Sequence, residues 1–183
     1  SSASFSAAEN QTAIGSVTAT DADGDSLTYS ISGSEINISS SGVLSFASAP
    51  DYETKNSYTA TVTVSDGTAS TTQDITVNIT DVNEAPTISS SATFSAAENQ
   101  TAIGSVTATD ADGDSLTYSI SGSEINISSS GVLTFATAPD YEIKSSYSAT
   151  ITASDGSNSS TQTISVNVNN LNEVKPSLSL SIN

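Results

Sequence analysis

The stretch YTATVTV at residues 58–64 alternates apolar and polar side chains without interruption. Tyr58, Ala60, Val62 and Val64 share one parity, and threonine occupies the other. Because successive side chains of a β-strand point to opposite faces, this period of two predicts a strand with one buried face and one wet face. The same alternation recurs at residues 27–31 and 75–79, so the pattern belongs to the whole chain.

Turn-forming motifs separate the alternating segments. They read ADGD, SGSE, SSSG, APD and SDG, and no stretch between them has a helical period. About seven short strands before the pattern starts again predict an all-β fold, an antiparallel β-sandwich.

The chain is an internal duplication in which residue n corresponds to residue n + 89. Residues 1–44 and 90–133 differ only where Ser4 corresponds to Thr93, and later differences include Asp81 against Asn170. A hydrophobic content of 35% also favours two small domains over one large core. We predict one repeat at residues 1–84 and a second at residues 85–173. Residues 174–183 are expected to start a following repeat or to form a tail.

Composition limits the classes of partner. A net charge of −17 argues against nucleic acid and anionic membranes, because both are polyanions. No apolar run approaches the roughly 18 residues that cross a bilayer, so direct membrane insertion is not expected. The chain begins without methionine, and we expect it to be a segment of a longer protein.

The hexapeptide DADGDS occurs at residues 21–26 and again at residues 110–115. An EF-hand loop would require glycine at its sixth position and glutamate at its twelfth, where this chain has Ser26 and Ser32. The motif is therefore not an EF-hand. Taken alone, it is also compatible with a solvated turn, because Asp and Gly favour turns.

The other acidic residues weaken the simple turn interpretation. All but three of the 20, namely Glu35, Asp74 and Glu124, are expected in turns or at the junctions between copies. Two carboxylates about 4 Å apart repel by about 4 kcal/mol at an effective dielectric constant of 20. A cation is expected to neutralise them, and ligands that are all oxygen favour calcium.

The motifs AEN, DADGD, DYE, SDG and DVNEAP, in that order and twice over, resemble the cadherin repeat. They are most similar to the cadherin-like tandem repeats of large bacterial surface proteins, and the resemblance covers nearly the whole chain. It implies two tandem seven-stranded Greek-key β-sandwich domains, Ig-like in architecture and arranged end to end. It also implies up to three Ca²⁺ ions at the central junction.

Carried over by position, the resemblance assigns metal ligands throughout the chain. The central site would use Glu9, Asp51, Glu53, Asn83, Glu84, the carbonyl oxygen of Ala85, Asp110, Asp112, Asp114 and Asp155. Incomplete or terminal sites would use Asp21, Asp23, Asp25, Asp66, Asp81, Glu98, Asp140, Glu142, Asn172 and Glu173. Because Asn170 replaces the linker aspartate, a site after the second copy is expected to be weaker or differently shaped.

The leading hypothesis is a structural one, in which calcium stiffens an extracellular, cell-surface or secreted array for adhesion and the partners are neighbouring repeats. The alternatives are a homophilic or polysaccharide-binding module and a spacer in a secreted enzyme. Sugar sites need exposed aromatic rings, and most aromatic residues here are expected in the core, with Tyr52 and Tyr141 as exceptions. Without histidine, cysteine or a nucleophile motif, the repeats are not expected to be catalytic.

Overall fold

The computed structural model describes residues 3–172. It divides the chain into two compact units, the first ending at Val82 and the second beginning at Asn83. All regular elements in the described residues are strands, and that part of the chain contains no helix able to cross a membrane. The expected ligand Glu173 and the expected further segment at residues 174–183 lie outside the described residues.

The first unit is a seven-stranded β-sandwich. Its strands are β1 (Ser4–Ala8), β2 (Ala13–Ser16), β3 (Thr28–Ile31), β4 (Ile36–Ile38), β5 (Val43–Phe46), β6 (Ser57–Ser65) and β7 (Ser70–Thr80). One sheet has the order β1-β7-β6-β3 and the other the order β2-β5-β4. β1 runs parallel to β7, and the other pairs are antiparallel, which is the Greek-key arrangement expected from the sequence.

The second unit repeats this sandwich and adds two short strands. Its strands are β8 (Thr87–Ile88), β9 (Thr93–Ala97), β10 (Ala102–Ser105), β11 (Ala108–Thr109), β12 (Thr117–Ile120), β13 (Ile125–Ile127), β14 (Val132–Phe135), β15 (Ser146–Ser154) and β16 (Ser159–Asn169). The sheet orders are β12-β15-β16-β9 and β10-β14-β13, with β11-β8 as a separate pair.

The cores form as the alternation predicts. Val62 and Val64 of β6 and Val77 of β7 are buried, whereas the threonines between them face outward or lie half-buried. Two separate clusters of buried side chains result, one in each unit. The prediction of two small β-domains with one wet face per strand is confirmed.

The strand pair β8 and β11 was not predicted. Ile88 pairs with Ala108 and Thr87 with Thr109, so the chain leaving the linker is held against the second unit. Residues 19–20 have the same sequence as β11 but form no strand in the first unit, where no described segment pairs with them as β8 pairs with β11. Pro86, directly before β8, is fully buried.

The expectation that Glu35 and Glu124 lie outside turns is wrong. Both lie in the bend that precedes a short strand, β4 or β13, so Asp74 is the one acidic residue among those described that lies in a strand. Glu35 forms an ion pair with Lys55 at 2.7 Å, and Lys55 also lies over the Tyr58 ring. The charge of Glu35 is therefore neutralised by a lysine of its own unit.

The two tyrosines expected as exceptions behave differently. Tyr52 is half-buried and packs against the first core, whereas Tyr141 is 38% exposed. In the first core, Phe46 packs edge-on against Tyr58 with ring centroids 5.0 Å apart. The structure therefore keeps most aromatic area for the cores, as predicted, and leaves only Tyr141 of the two as an exposed ring.

Candidate metal centre

A buried glutamate closes one end of the first unit. Glu9 follows β1 and is 4% exposed. Its Oε2 accepts a hydrogen bond from the Tyr52 N–H at 2.7 Å, and its Oε1 accepts one from the Val82 N–H at 2.8 Å. The next residue, Asn10, has a φ of 60°, a left-handed conformation that asparagine tolerates better than most residues. The carboxylate thus ties the turn before β6 to the chain that leaves β7.

Glu98 has the same place in the second unit and is 1% exposed. Its oxygens accept hydrogen bonds from the Tyr141 N–H at 2.9 Å and the Leu171 N–H at 2.6 Å. These two hydrogen bonds hold the pKa of Glu98 below its ordinary value, because they stabilise the charged form, and the bond from Tyr141 has the larger effect. A negative charge is therefore built into the end of the second sandwich.

Two further carboxylates approach each of these glutamates. In the first carboxylate cluster, oxygens of Glu9, Glu53 and Asp81 lie within 4.8 Å of one another. In the second carboxylate cluster, the same holds for oxygens of Glu98, Asp140 and Glu142. The sequence predicted all six as ligands, but it did not predict that the third member differs between the copies.

A threonine-to-isoleucine difference accompanies that change. In the first unit, Asp51 accepts hydrogen bonds from both the N–H and the hydroxyl of Thr54, each at 3.0 Å. Ile143 stands at the equivalent position of the second unit and has no hydroxyl, so among the described residues Asp140 Oδ1 accepts hydrogen bonds only from the N–H groups of Glu142 at 2.9 Å and Ile143 at 3.3 Å. Asp140 belongs to the second cluster, whereas Asp51 is not a member of the first.

The residue that follows the last strand also differs. Asp81 of the first unit contributes its carboxylate to the first cluster. Asn170, its counterpart, donates a hydrogen bond from Nδ2 to Glu142 Oε1 at 2.8 Å. The beginning of the linker is therefore acidic after the first unit and neutral after the second.

The DADGDS loops owe their shape to their first aspartate. Asp110 Oδ1 accepts hydrogen bonds from the N–H groups of Asp112 at 3.1 Å and Asp114 at 3.2 Å. Asp21 makes the same two bonds in the first unit, at 2.9 and 3.1 Å. An aspartate that bonds the backbone two residues on is an Asx turn, which explains why this peptide folds alike in both copies.

In the second unit, the linker is fastened to this loop and to its neighbour. Asp112 Oδ2 accepts a hydrogen bond from the Glu84 N–H at 2.9 Å. Asp155, in the turn between β15 and β16, accepts one from Asn83 Nδ2 at 2.8 Å, and Asn158 Nδ2 donates to the Asn83 carbonyl at 2.8 Å. The Asn83 amide is the main reason why the pKa of Asp155 lies below its ordinary value.

Both aspartates of this loop that approach the linker have a carboxylate oxygen without a hydrogen-bond partner among the described residues. Asp110 Oδ2 and Asp112 Oδ1 are shielded from solvent and accept no hydrogen bond from any residue between 3 and 172. Burying charged oxygen atoms without a partner is unfavourable, and a cation is the usual remedy. The chain has neither histidine nor cysteine, so its donors are oxygens, which suit a hard cation such as calcium.

The corresponding loop of the first unit carries the same residues, and no described linker packs against it. Asp21 and Asp66 line one cavity of about 180 Å³. The N–H groups of Ala69 and, secondarily, Thr68 hold the pKa of Asp66 below its ordinary value. The Asp23 carboxylate accepts no hydrogen bond from the described residues and is exposed, unlike that of Asp112.

The remaining expected ligands lie along the linkers and loops. Ala85 is exposed beside the buried Pro86, and Asn172 is exposed after β16. Asp25 and Asp114 are exposed and contribute their N–H groups to the Asx turns. Sequence reasoning did not single out Thr54, although its spacing of three from Asp51 is a capping signal.

Comparison with known proteins identifies the relatives of this chain. The family model of the bacterial Ig domain matches residues 1–80 and 83–167. Chitinase A of Pseudoalteromonas piscicida is 33% identical over 154 residues, which cover 82% of this chain and 19% of that protein. Human protocadherin-15 is 30% identical over 178 residues, which cover 86% of this chain and 9% of that protein. The chain thus spans less than a fifth of each of these relatives.

The solved structure of human protocadherin-24 EC1-2, form II, has the same fold. It superposes with a TM-score of 0.67 at 24% identity, over 90% of this chain and 93% of that one. At that identity the likeness concerns the fold, which is that of cadherin repeats.

Proposed function

This chain belongs to the bacterial Ig domain family and folds as cadherin-like sandwiches, and from that premise we propose that it is a calcium-binding tandem repeat of a bacterial extracellular adhesin. The proposed role is structural: the first carboxylate cluster and the aspartate loop of the second unit would share calcium at the junction. The linker between successive repeats would then hold one geometry, as cell-surface adhesion or cell–cell contact requires.

The observation that carries the proposal is the pair of buried, unpartnered oxygens, Asp110 Oδ2 and Asp112 Oδ1. The linker residues Asn83 and Glu84 donate hydrogen bonds to Asp155 Oδ2 and Asp112 Oδ2 of the same unit, but neither bond reaches Asp110 Oδ2 or Asp112 Oδ1. A bound calcium ion would supply the positive charge that these oxygens lack. Extracellular modules of this kind commonly bind calcium with dissociation constants of about 10⁻⁴ to 10⁻³ M.

The chain's own residues would act in three ways. Asp110 and Asp112 would offer the free oxygens, with Asp155 holding Asn83 in place beside them. Glu9 and Glu53 would supply the carboxylates of the preceding repeat. We propose that up to three calcium ions bind at the junction. Partners are then the neighbouring repeats themselves.

A second candidate is a spacer in a secreted enzyme, and the match to a chitinase favours it. In that case the repeats would hold a catalytic domain at a distance, with the same calcium chemistry and no catalytic role of their own. A polysaccharide-binding or homophilic surface is a third candidate. It rests on Tyr141 and Ile143, which are 38% and 83% exposed on one turn.

The test uses two substitutions within identical peptides. Asp112→Ala removes an oxygen donor at the linker, whereas Asp23→Ala makes the same change in a DADGDS loop against which no described linker packs. Calcium titration by calorimetry should show clear binding for the parent, weaker binding or fewer ions for Asp112→Ala, and near-parental binding for Asp23→Ala. Small-angle X-ray scattering should show a narrower range of dimensions in calcium than in chelator for the parent.

Two results would refute the proposal. One is a parent chain that binds no calcium at millimolar concentration. The other is an Asp112→Ala variant that binds the same number of ions with parental affinity. Identical scattering with calcium and with chelator would leave binding intact but remove the stiffening role, and would favour the third candidate.

A further inference from the structure

We propose that the first unit carries a docking groove for a linker segment, and that the C-terminal segment of a second copy of this chain fills it. Residues 172–179 of one molecule would bind the first unit of another. The inference goes beyond the proposed function, because the strand pairing on which it rests needs no metal ion.

The second unit shows how such a segment is bound. Its linker peptide PTIS, residues 86–89, lies along the edge of the sandwich, and its proline is fully buried. Ile88 pairs with Ala108 of β11 and packs against the second core. Ser89 donates its N–H to the Thr107 carbonyl at 2.9 Å. Backbone pairing and one apolar side chain therefore hold the linker in place.

The same edge of the first unit pairs with no described segment. Ala19 and Thr20 have the sequence of β11 but form no strand in the described part of the chain. Two cavities of about 180 and 280 Å³ lie at this edge, and both are lined by Ala19, Val64 and Thr71. We call them together the first-unit groove. An unpaired edge beside apolar side chains is the kind of surface to which an extended peptide adds as a strand.

The C-terminal sequence matches the peptide that the second unit binds. Residues 172–179 read NEVKPSLS, and residues 83–89 read NEAPTIS, so the order of residue types is the same with one residue added before proline. In the first-unit groove, Leu178 would take the place that Ile88 has in the second unit. The added residue gives the segment slightly more reach.

The acceptors for the Asn-Glu pair of this segment are also present. In the second unit the linker donates hydrogen bonds to Asp155 at 2.8 Å and to Asp112 at 2.9 Å. The first unit has Asp66 and Asp23 at the equivalent positions. The first unit therefore carries the same two carboxylates for a linker of this sequence.

Charge favours the C-terminal segment as the occupant. Asp21 and Asp66 line the first-unit groove, and Lys175 directly precedes the proline that would enter it. Opposite charges at this contact attract, whereas the net charge of −17 disfavours most other contacts between copies. Because the contact joins two different surfaces, it can repeat from copy to copy.

A peptide titration tests the groove. A synthetic peptide of residues 172–183 is added to the dilute whole chain in chelator, and backbone amides are followed by NMR. The amides of Ala19 and Thr20 should shift, whereas those of Ala108 and Thr109, which have the same sequence and are already paired with β8, should not. Absent shifts, or equal shifts at both places, would overturn the proposal, as would equal shifts with a peptide carrying Leu178→Asp.

Sedimentation of the whole chain in chelator tests the second copy as the partner. A segment of this size forms an interface well below about 1,200 Å², so we expect weak association that appears only at high concentration. The parent should gain mass with concentration and Leu178→Asp should not. Ile143→Asp, the same change at an apolar residue that is 83% exposed elsewhere, should behave like the parent. A parent that stays monomeric, or equal losses in the two variants, would refute the assignment.

A gain of affinity is also expected at one position. Asn158 donates from Nδ2 to the linker carbonyl of Asn83 at 2.8 Å, and Ala69 is its counterpart in the first unit. Ala69→Asn should therefore tighten peptide binding by about threefold to tenfold, the factor that one hydrogen bond represents. Unchanged affinity would mean that the peptide does not bind as the linker of the second unit does. All these measurements are made in chelator, so they are decided separately from calcium binding.

Discussion

Gly131 offers a sharp test of how the fold positions the aspartate loop. It lies in the turn before β14 with a φ of +81°, and a Cβ placed on it would lie 2.3 Å from the carbonyl oxygen of Val106. Val106 is 1% exposed, donates its N–H to the Gly131 carbonyl at 2.8 Å, and precedes the DADGDS loop. We expect Gly131→Ala to destabilise the second unit and to displace the chain that enters the loop.

The magnitude follows from a comparison with Gly122, which has a φ of +82° and no atom within 4 Å of the position that an added methyl group would take. Both alanine variants bear the left-handed backbone, at about 1–2 kcal/mol, and both gain about 0.4–1 kcal/mol from a less flexible unfolded chain. Only Gly131→Ala adds the steric overlap, at about 1–3 kcal/mol, and strains the Val106 hydrogen bond, at about 1 kcal/mol. The difference between the variants should be about 2–4 kcal/mol.

Thermal unfolding in chelator, followed by circular dichroism, measures this difference. At about 4–8 °C per kcal/mol for a domain of this size, Gly131→Ala should unfold roughly 10–30 °C below Gly122→Ala. Equal melting temperatures would refute the reasoning, because the two positions share their backbone conformation and differ only in the space around the added methyl group.

Two further predictions concern charges. Asp66 has a lowered pKa, so its hydrogen bonds stabilise the fold fully above its ordinary pKa of 3.8, and this contribution is lost as the pH falls through the folded-state pKa. The difference in melting temperature between the parent and Asp66→Asn should therefore shrink on acidification below about pH 4. A difference that stays constant with pH would contradict this prediction. Lys55→Met should change the free energy of unfolding, measured by urea titration, by less than about 1 kcal/mol. The reason is that the ion pair is exposed to solvent, with 42% of the Lys55 side chain and 56% of the Glu35 side chain accessible. A loss above about 2 kcal/mol would contradict this prediction, because exposed ion pairs contribute less than that.

The fold could be predicted from the sequence because apolar and polar residues alternate wherever a strand buries one face and exposes the other. Tyr58 to Val64 lie in β6, and the same argument located β3 and β7. The pair β8 and β11 could not be found in this way, since a two-residue strand has no period to detect. It forms because the linker returns along the second unit, which is a property of the tertiary structure.

The candidate site was predictable in its residue types and less so in its pairings. Carboxylates at fixed places in repeated motifs pointed to the cluster around Glu9, and the structure brings Glu53 and Asp81 to it. Asp51 lies outside this cluster and accepts two hydrogen bonds from Thr54 at 3.0 Å, a side-chain geometry within one turn that the motif does not reveal. The motif gives Asp51 and Asp140 equivalent positions, but only Asp140 lies in a carboxylate cluster, and only Asp51 accepts a hydrogen bond from a hydroxyl of its own turn.

Identical peptides also acquire different roles from what lies beside them. Asp23 and Asp112 share the same six-residue peptide and the same Asx turn, yet only Asp112 receives a hydrogen bond from a described linker residue. The Glu84 N–H leaves one Asp112 oxygen satisfied and the other buried without a partner. A single sandwich therefore does not contain the proposed site, which would also need the linker before it and the carboxylates of Glu9 and Glu53 in the preceding repeat.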